Sequence, residues 1–263
     1  MTAQVAALLR THLYDRRRSV WAWGIPLGLW SAFIVIIFPS VEGALSKAIQ
    51  SYPEALKEAF QIGELTNVEQ YLQAEMLSLI VPLALGYLAV RAVASGLSGA
   101  AESGRLDVLL SSPVSRTRVV AASFAATAVE LSVVLVLAVA LTLLGSLVAG
   151  AHLSLTAAIA GYANVWPLAL LFAGFGIVAT GFSLRTPVVT GAVAGLLVTM
   201  YVIDLIGRLD TGLSGVRYAS VFKYYGNAIE DGIDPLAFLG VTAAAIAFAA
   251  IGAWLFERRD LAG

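Results

Sequence analysis

The sequence predicts an all-α integral membrane protein: an N-terminal amphipathic surface helix followed by six transmembrane helices, with both chain ends on the cytoplasmic side. Three observations predict it. Apolar residues make up 59% of the 263 and charged residues only 13%, against about half and about a quarter in a water-soluble domain; mean hydropathy is +0.87. The charged residues cluster, leaving several apolar windows of the about 20 residues that a helix needs to cross a hydrocarbon core. Arginine and lysine are also distributed unevenly between the two ends of those windows. A formal net charge of -1 gives no basic field of the kind a nucleic-acid binder carries, so the bilayer is the expected partner and nucleic acid is not. Cysteine is absent, which excludes disulfides, thiolate metal sites and cysteine nucleophiles. No metal site is expected.

The elements follow in order. In residues 1–19, Val5, Leu8, Leu9 and Leu13 fall at helical spacing while Arg10, His12 and Asp15 take other faces. That pattern is a helix lying on a membrane surface rather than a signal peptide. Arg16, Arg17 and Arg18 close it before a first span at 20–38, where Trp21 and Trp23 sit at the depth at which indoles anchor. Residues 39–75 are polar and interrupted by Gly43, Pro53 and Gly63, as in an external loop with short amphipathic helices. Further spans are predicted at 76–99, 119–150, 156–182, 188–207 and 236–256, with a second external loop at 208–235. The whole chain, 1–263, reads as one transmembrane domain.

Orientation comes from the basic residues near span ends. With the N-terminus inside, the inner set is Arg10, Arg16, Arg17, Arg18, Arg105, Arg116, Arg118, Arg185, Arg258 and Arg259. The outer set is Lys47, Lys57, Arg208, Arg217 and Lys223. The larger set belongs on the cytoplasmic side, so both termini and the polar block at 100–118 are placed there.

That block, "AAESGRLDVLLSSPVSRTR", is compact and charged between two apolar stretches. Leu106, Leu109 and Leu110 share one side of a short helix, with Glu102, Arg105 and Asp107 elsewhere. Pro113 ends it, because proline drives its predecessor out of the helical region, and Arg116 and Arg118 meet the bilayer. A short helix exposed to the cytoplasm suits docking into a groove of a soluble partner; a solvated turn with snorkelling arginines has the same composition.

Here a family resemblance enters. The block, with its glutamate, glycine, paired leucines and proline-x-x-arginine, resembles the cytoplasmic link between the second and third spans of type-2 ATP-binding-cassette (ABC) permeases. "WLFERRDL" at the chain end resembles that family's phenylalanine-basic-basic-aspartate-leucine tail, and "YASVFKYYGNAIEDGIDPL" stands where its aromatic external segment lies. One departure is that Ala219-Ser220-Val221-Phe222 replaces the family's frequent serine-proline-phenylalanine. The resemblance implies a half-transporter of six spans that pairs with a second permease half, the same chain or a different one. Two ABC ATPase subunits would dock beneath, bringing ATP and Mg. The 100–118 link would be the coupling helix, with Glu102, Gly104, Arg105, Leu106, Leu109, Leu110, Pro113 and Arg116 in the contact. Tyr218, Phe222, Tyr224 and Tyr225 would form an external gate, or serve as ordinary interface anchors.

No ATPase is encoded here. A phosphate-binding loop needs lysine followed by serine or threonine, and the only lysines, Lys47, Lys57 and Lys223, precede Ala48, Glu58 and Tyr224. An intramembrane protease is a distant alternative. Gly96-Leu97-Ser98-Gly99 and Gly212-Leu213-Ser214-Gly215 match its G-x-S-G pattern, but the only histidines, His12 and His152, are poorly placed as bases. Such small-residue patterns also serve close helix packing.

Charges inside spans cost roughly 2.5–3.5 kcal/mol each even on the lenient scale, so each needs a partner or water. Arg91 and Glu130 lie about 14 and 18 Å from the cytoplasmic block at about 1.5 Å per residue, and they are expected to pair, either structurally or as the lining of a cavity. Asp204 and Arg208, four apart, are expected to form an interfacial pair. The expected function is the permease subunit of an ATP-driven exporter in the inner (plasma) membrane, moving an apolar or amphipathic substrate outward. A secondary, ion-coupled carrier is the alternative.

Overall fold

The computed structural model describes residues 3–50, 52–53, 67–105 and 115–258. Among these there are helices and turns and no strand. Helix α1 runs Ala3–Gln50, α2 Val68–Leu72, α3 Ile80–Glu102, α4 Arg116–Ala149, α5 Leu155–Phe182 and α6 Thr186–Leu209. A 3-10 segment, Thr211–Ala219, leads into α7 (Val221–Tyr225), α8 (Ala228–Asp231) and α9 (Pro235–Glu257). Six helical stretches are long and apolar enough to cross a membrane.

Two expectations are corrected. The surface helix and first span are one rod, continuous through Pro26 and Pro39 to Gln50. The reason lies in the register. Counting back from Phe38 by three or four gives Val35, Ser31, Leu27, Gly24, Val20 and Arg16, all buried except the half-buried Val20. The inward face therefore does not change direction at residue 19, and nothing is gained by bending. Residues 39–50 and 68–75 are accordingly helical rather than loop; 54–66 lie outside the described residues.

The second crossing is built in two pieces. A π-helical turn, Gln73–Leu77, links α2 to α3, and Leu79 leaves the helical region at φ -137. Pro82 accounts for the break, since it has no N–H to give the carbonyl four residues back and its ring crowds that turn. Pro167, in contrast, sits within an unbroken α5.

Helix α5 is the centre, packed against α3, α4 and α9, while α1 lies along α4. Small residues set these distances. A Cβ on Gly145 of α4 would stand 2.8 Å from Ala32 Cα of α1, and one on Gly252 of α9 would stand 2.6 Å from Ile177 carbonyl carbon of α5. Backbones approach this closely only where side chains are missing, the usual device of helix pairs in lipid. The outer faces of α6 and α9 carry exposed Val188, Val202, Leu236, Leu239 and Ile246, a surface that water would penalise and hydrocarbon accepts.

Gly145→Leu must push against backbone and is expected to cost at least about 1–3 kcal/mol, read as a lower Tm in detergent. Gly43→Ala, with nothing within 4 Å of the new carbon, should be neutral or stabilising by up to about 1 kcal/mol. Equal effects would contradict the α1–α4 seam.

Candidate functional site

At the end of the bundle where α1 begins and α3 ends, the three helices α1, α3 and α4 enclose a cavity of about 730 Å³. Its polar lining is His12, Asp15, Arg16, Arg18 and Ser19 from α1, Arg91 and Ser95 from α3, Arg105, and Glu130 from α4. Leu8, Ala22, Trp23, Leu88 and Ala92 supply the apolar part. Four arginines against two carboxylates leave the lining positively charged.

Arg16 organises the deep wall. Its guanidinium donates to Thr127 Oγ1 at 2.6 Å, to the Ala92 carbonyl at 2.8 Å and to Ser123 Oγ at 3.2 Å, and it meets Glu130 Oε2 at 3.4 Å. One planar fork with five donors thus joins α1 to α3 and α4. The room for it comes from Gly96: a Cβ there would lie 2.9 Å from Ser123 Oγ and 3.1 Å from the Arg16 nitrogen. This is the close-packing use of the G-L-S-G stretch. Ser98 Oγ, in the same stretch, is buried with no hydrogen-bond partner.

Glu130 therefore makes its ion pair with Arg16, and Arg91 acts on it only from beyond ion-pair distance. The two ends of the expected pair lie on helix faces of different kind. Glu130 continues the buried row Ser123, Thr127, Val134 and Ala138, and it is 1% exposed. Arg91 falls on the exposed row of α3 with Tyr87 and Ser95. Both residues line the cavity, but among the described residues no carboxylate lies within ion-pair distance of Arg91. Glu130 Oε1, the oxygen turned away from Arg16, has no hydrogen-bond partner. Arg16 was legible in principle, because extending the buried face of α1 inward from Phe38 arrives at it. Three consecutive arginines at the predicted helix end had masked it as an interface anchor.

The polar block resolves in part. Glu102 accepts from Thr186 N at 3.0 Å and Thr186 Oγ1 at 2.7 Å, so it caps the start of α6. Gly104 ends α3 at φ +68, a left-handed turn that glycine takes without strain. Arg105 bonds Ser103 Oγ at 3.0 Å, and Arg116 donates to the Glu257 carbonyl at 3.4 Å, joining α4 to the end of α9. Leu106, Leu109, Leu110 and Pro113 lie outside the described residues.

At the opposite end, Asp204 accepts from Arg208 at 2.7 Å and also from Arg217 at 2.9 Å. Arg217 crosses Gly207, where a Cβ would clash at 2.3 Å, so the carboxylate holds the 3-10 segment against α6. The four aromatics do not converge. Phe222 and Tyr225 are buried, Phe222 edge-on to Tyr201 and Tyr225 donating to the Leu77 carbonyl at 2.9 Å. Tyr218 and Tyr224 are exposed, with the Lys223 ammonium over the Tyr218 ring. The buried pair anchors α7 to the π-helical turn and to α6. Among the described residues no three of histidine, aspartate and glutamate are grouped as a metal would require.

Six membrane-length helices, three of them lining a charged recess, define a multi-pass membrane protein. Residues 9–257 match the family model described as "Multidrug efflux system permease Rv1217c, C-terminal domain", and the chain belongs to that family. No curated protein matches it significantly.

Asp204→Asn removes the charge that holds Arg217, so trypsin should cut after Arg217 about tenfold faster in the folded protein. An opening free energy lowered by about 1.4 kcal/mol gives that factor. Unchanged cleavage would show that the clamp does not restrain the outer segment.

Proposed function

We propose that this chain is the permease subunit of an ATP-driven ABC exporter in the plasma membrane, working as one half of a paired transporter with ATPases supplied by other chains. The observation that carries it is the combination of membership in an efflux-permease family with a sequence that has no phosphate-binding loop. In the exporter reading, a permease without its own ATPase receives work through a contact. The polar block at 100–118 is the segment the type-2 resemblance assigns to that contact. Arg116 tied to the end of α9, and Glu102 tied to the start of α6, connect the edges of the block to two further spans. A push on the block would thus reach α3, α4, α6 and α9 together. The family description names a C-terminal domain, which supports a larger assembly than one such unit. The orientation that puts the block in the cytoplasm is the one favoured by the arginines.

A second reading is favoured by one observation. Glu130 keeps a buried oxygen with no partner at hydrogen-bond distance, with Ser19 of α1 close by, beside a polar cavity, and a carboxylate so placed is what an ion-coupled carrier uses. Asparagine and glutamine are scarce in the spans, and Asn164 is committed to the Tyr225 carbonyl, which leaves little polar surface for a hydrophilic cargo. An apolar or amphipathic substrate fits both readings.

Purification of the native complex in mild detergent separates them. A stoichiometric ATPase is expected with the wild-type chain, and it should be lost with Leu109→Glu combined with Leu110→Glu. Wild-type protein that comes down without any ATPase would overturn the exporter reading and favour the carrier.

A further inference from the structure

The cavity between α1, α3 and α4 is more than a polar recess, because its two sides differ in kind. Arg16 is fully engaged with Glu130, Thr127, Ser123 and Ala92, so it contributes little free charge. No described carboxylate lies within ion-pair distance of Arg91, which acts on Glu130 only at longer range, although it lies well within a membrane-length helix. An unpaired guanidinium at that depth is costly unless an anion or water meets it. Arg105 and Arg18 add positive charge at the mouth.

The shape argues for what kind of anion. Helices α1 and α3 barely touch one another directly. Tyr87, Arg91 and Ser95, spaced one turn apart, are all exposed along α3. Across the gap Trp23 approaches Tyr87, with ring centroids 6.1 Å apart. The recess thus opens sideways between two helices, with arginines toward the bundle end and apolar Leu8, Trp23 and Leu88 alongside. A small soluble anion would use the arginines and leave the apolar lining and most of about 730 Å³ unused.

We propose that this cleft binds an anionic phospholipid from the adjoining leaflet. Its phosphate lies between Arg91 and Arg105 and its glycerol and upper acyl chain lie along Trp23 and Leu88. Basic pockets between transmembrane helices are the physical setting in which anionic headgroups are held, and a guanidinium fork matches a phosphate bidentately. The excess of positive charge selects an anionic headgroup over a zwitterionic one. The proposal concerns ligand binding and is independent of whether an ATPase drives the protein.

The test is native mass spectrometry with a parallel thermal-stability measurement, titrating the detergent-purified full chain with phosphatidylglycerol, phosphatidylcholine or inorganic phosphate. Phosphatidylglycerol is expected to bind and raise the Tm, with phosphatidylcholine about tenfold weaker and phosphate without effect. Arg91→Gln should weaken phosphatidylglycerol about tenfold, the loss of one charge-assisted contact. It should leave the lipid-free Tm near wild type, since Arg91 takes no part in the Arg16 network. Arg105→Gln serves the same purpose if Arg91→Gln does not fold. Arg17→Gln, on the same helix end but stacked on Tyr14 and outside the cleft, should keep full selectivity. Equal binding of both lipids, an equal loss in Arg17→Gln, or full selectivity retained without Arg91 and Arg105 would each overturn the proposal. Stabilisation by phosphate alone would transfer the site to a soluble anion and overturn it as well.

Discussion

The guanidinium of Arg16 is the contact on which the arrangement of the first half of the chain depends. It is buried among α1, α3 and α4 and bonded to groups on the two partner helices. In lipid there is no hydrophobic force to push helices together, so association rests on close packing and polar contacts. Helix α1 has both: glycines and alanines along its face to α4, and one ion pair toward its N-terminal end. A buried charge with its partner removed is far more costly than the pair is favourable. The network therefore fixes the register of α1 more than it adds net stability. With α1 fixed there and touching α3 hardly at all, a cleft between the two is a geometric consequence.

Most of the span positions follow from the length and hydropathy of the apolar windows, because a bilayer imposes one dominant constraint on sequence. What those windows leave open is where helices continue beyond the hydrocarbon. Three arginines after an amphipathic stretch read equally well as a helix end and as a continuing rod. The decision rests on which of the three faces inward, and Arg16 does because it continues the buried row of Leu27 and Gly24. The same consideration redirects Glu130. Depth alone made Arg91 its partner, whereas helical phase puts Arg91 on the open face and Arg16 on the closed one. The outer aromatics show the opposite limit: their composition suits a gate or an anchor, and only packing distinguishes buried Phe222 and Tyr225 from exposed Tyr218 and Tyr224.

Function is distributed between the two ends of the bundle. At one end the polar block, the charged cleft and the starts of α4 and α6 are linked by Glu102, Arg105 and Arg116. At the other, Asp204 clamps the segment that precedes α7. Membership in an efflux-permease family gives this arrangement a purpose. On the proposed function, work applied at the block would reach α3, α4, α6 and α9 through these contacts. The exposed apolar faces of α6 and α9 are surfaces that hydrocarbon accepts.

The most direct test of the account is a thermal and chemical unfolding cycle on Arg16 and Glu130 in detergent. Arg16→Leu alone should cost about 3–5 kcal/mol by stranding the Glu130 carboxylate, and Arg16→Leu with Glu130→Leu should recover most of that loss. The corresponding cycle of Arg91→Leu with Glu130→Leu should show clearly weaker coupling, since Arg91 acts on Glu130 only from beyond ion-pair distance. Additive effects for Arg16 and Glu130 within about 0.5 kcal/mol, or strong coupling of Glu130 to Arg91 instead, would contradict the placement of α1 and the cleft beside it.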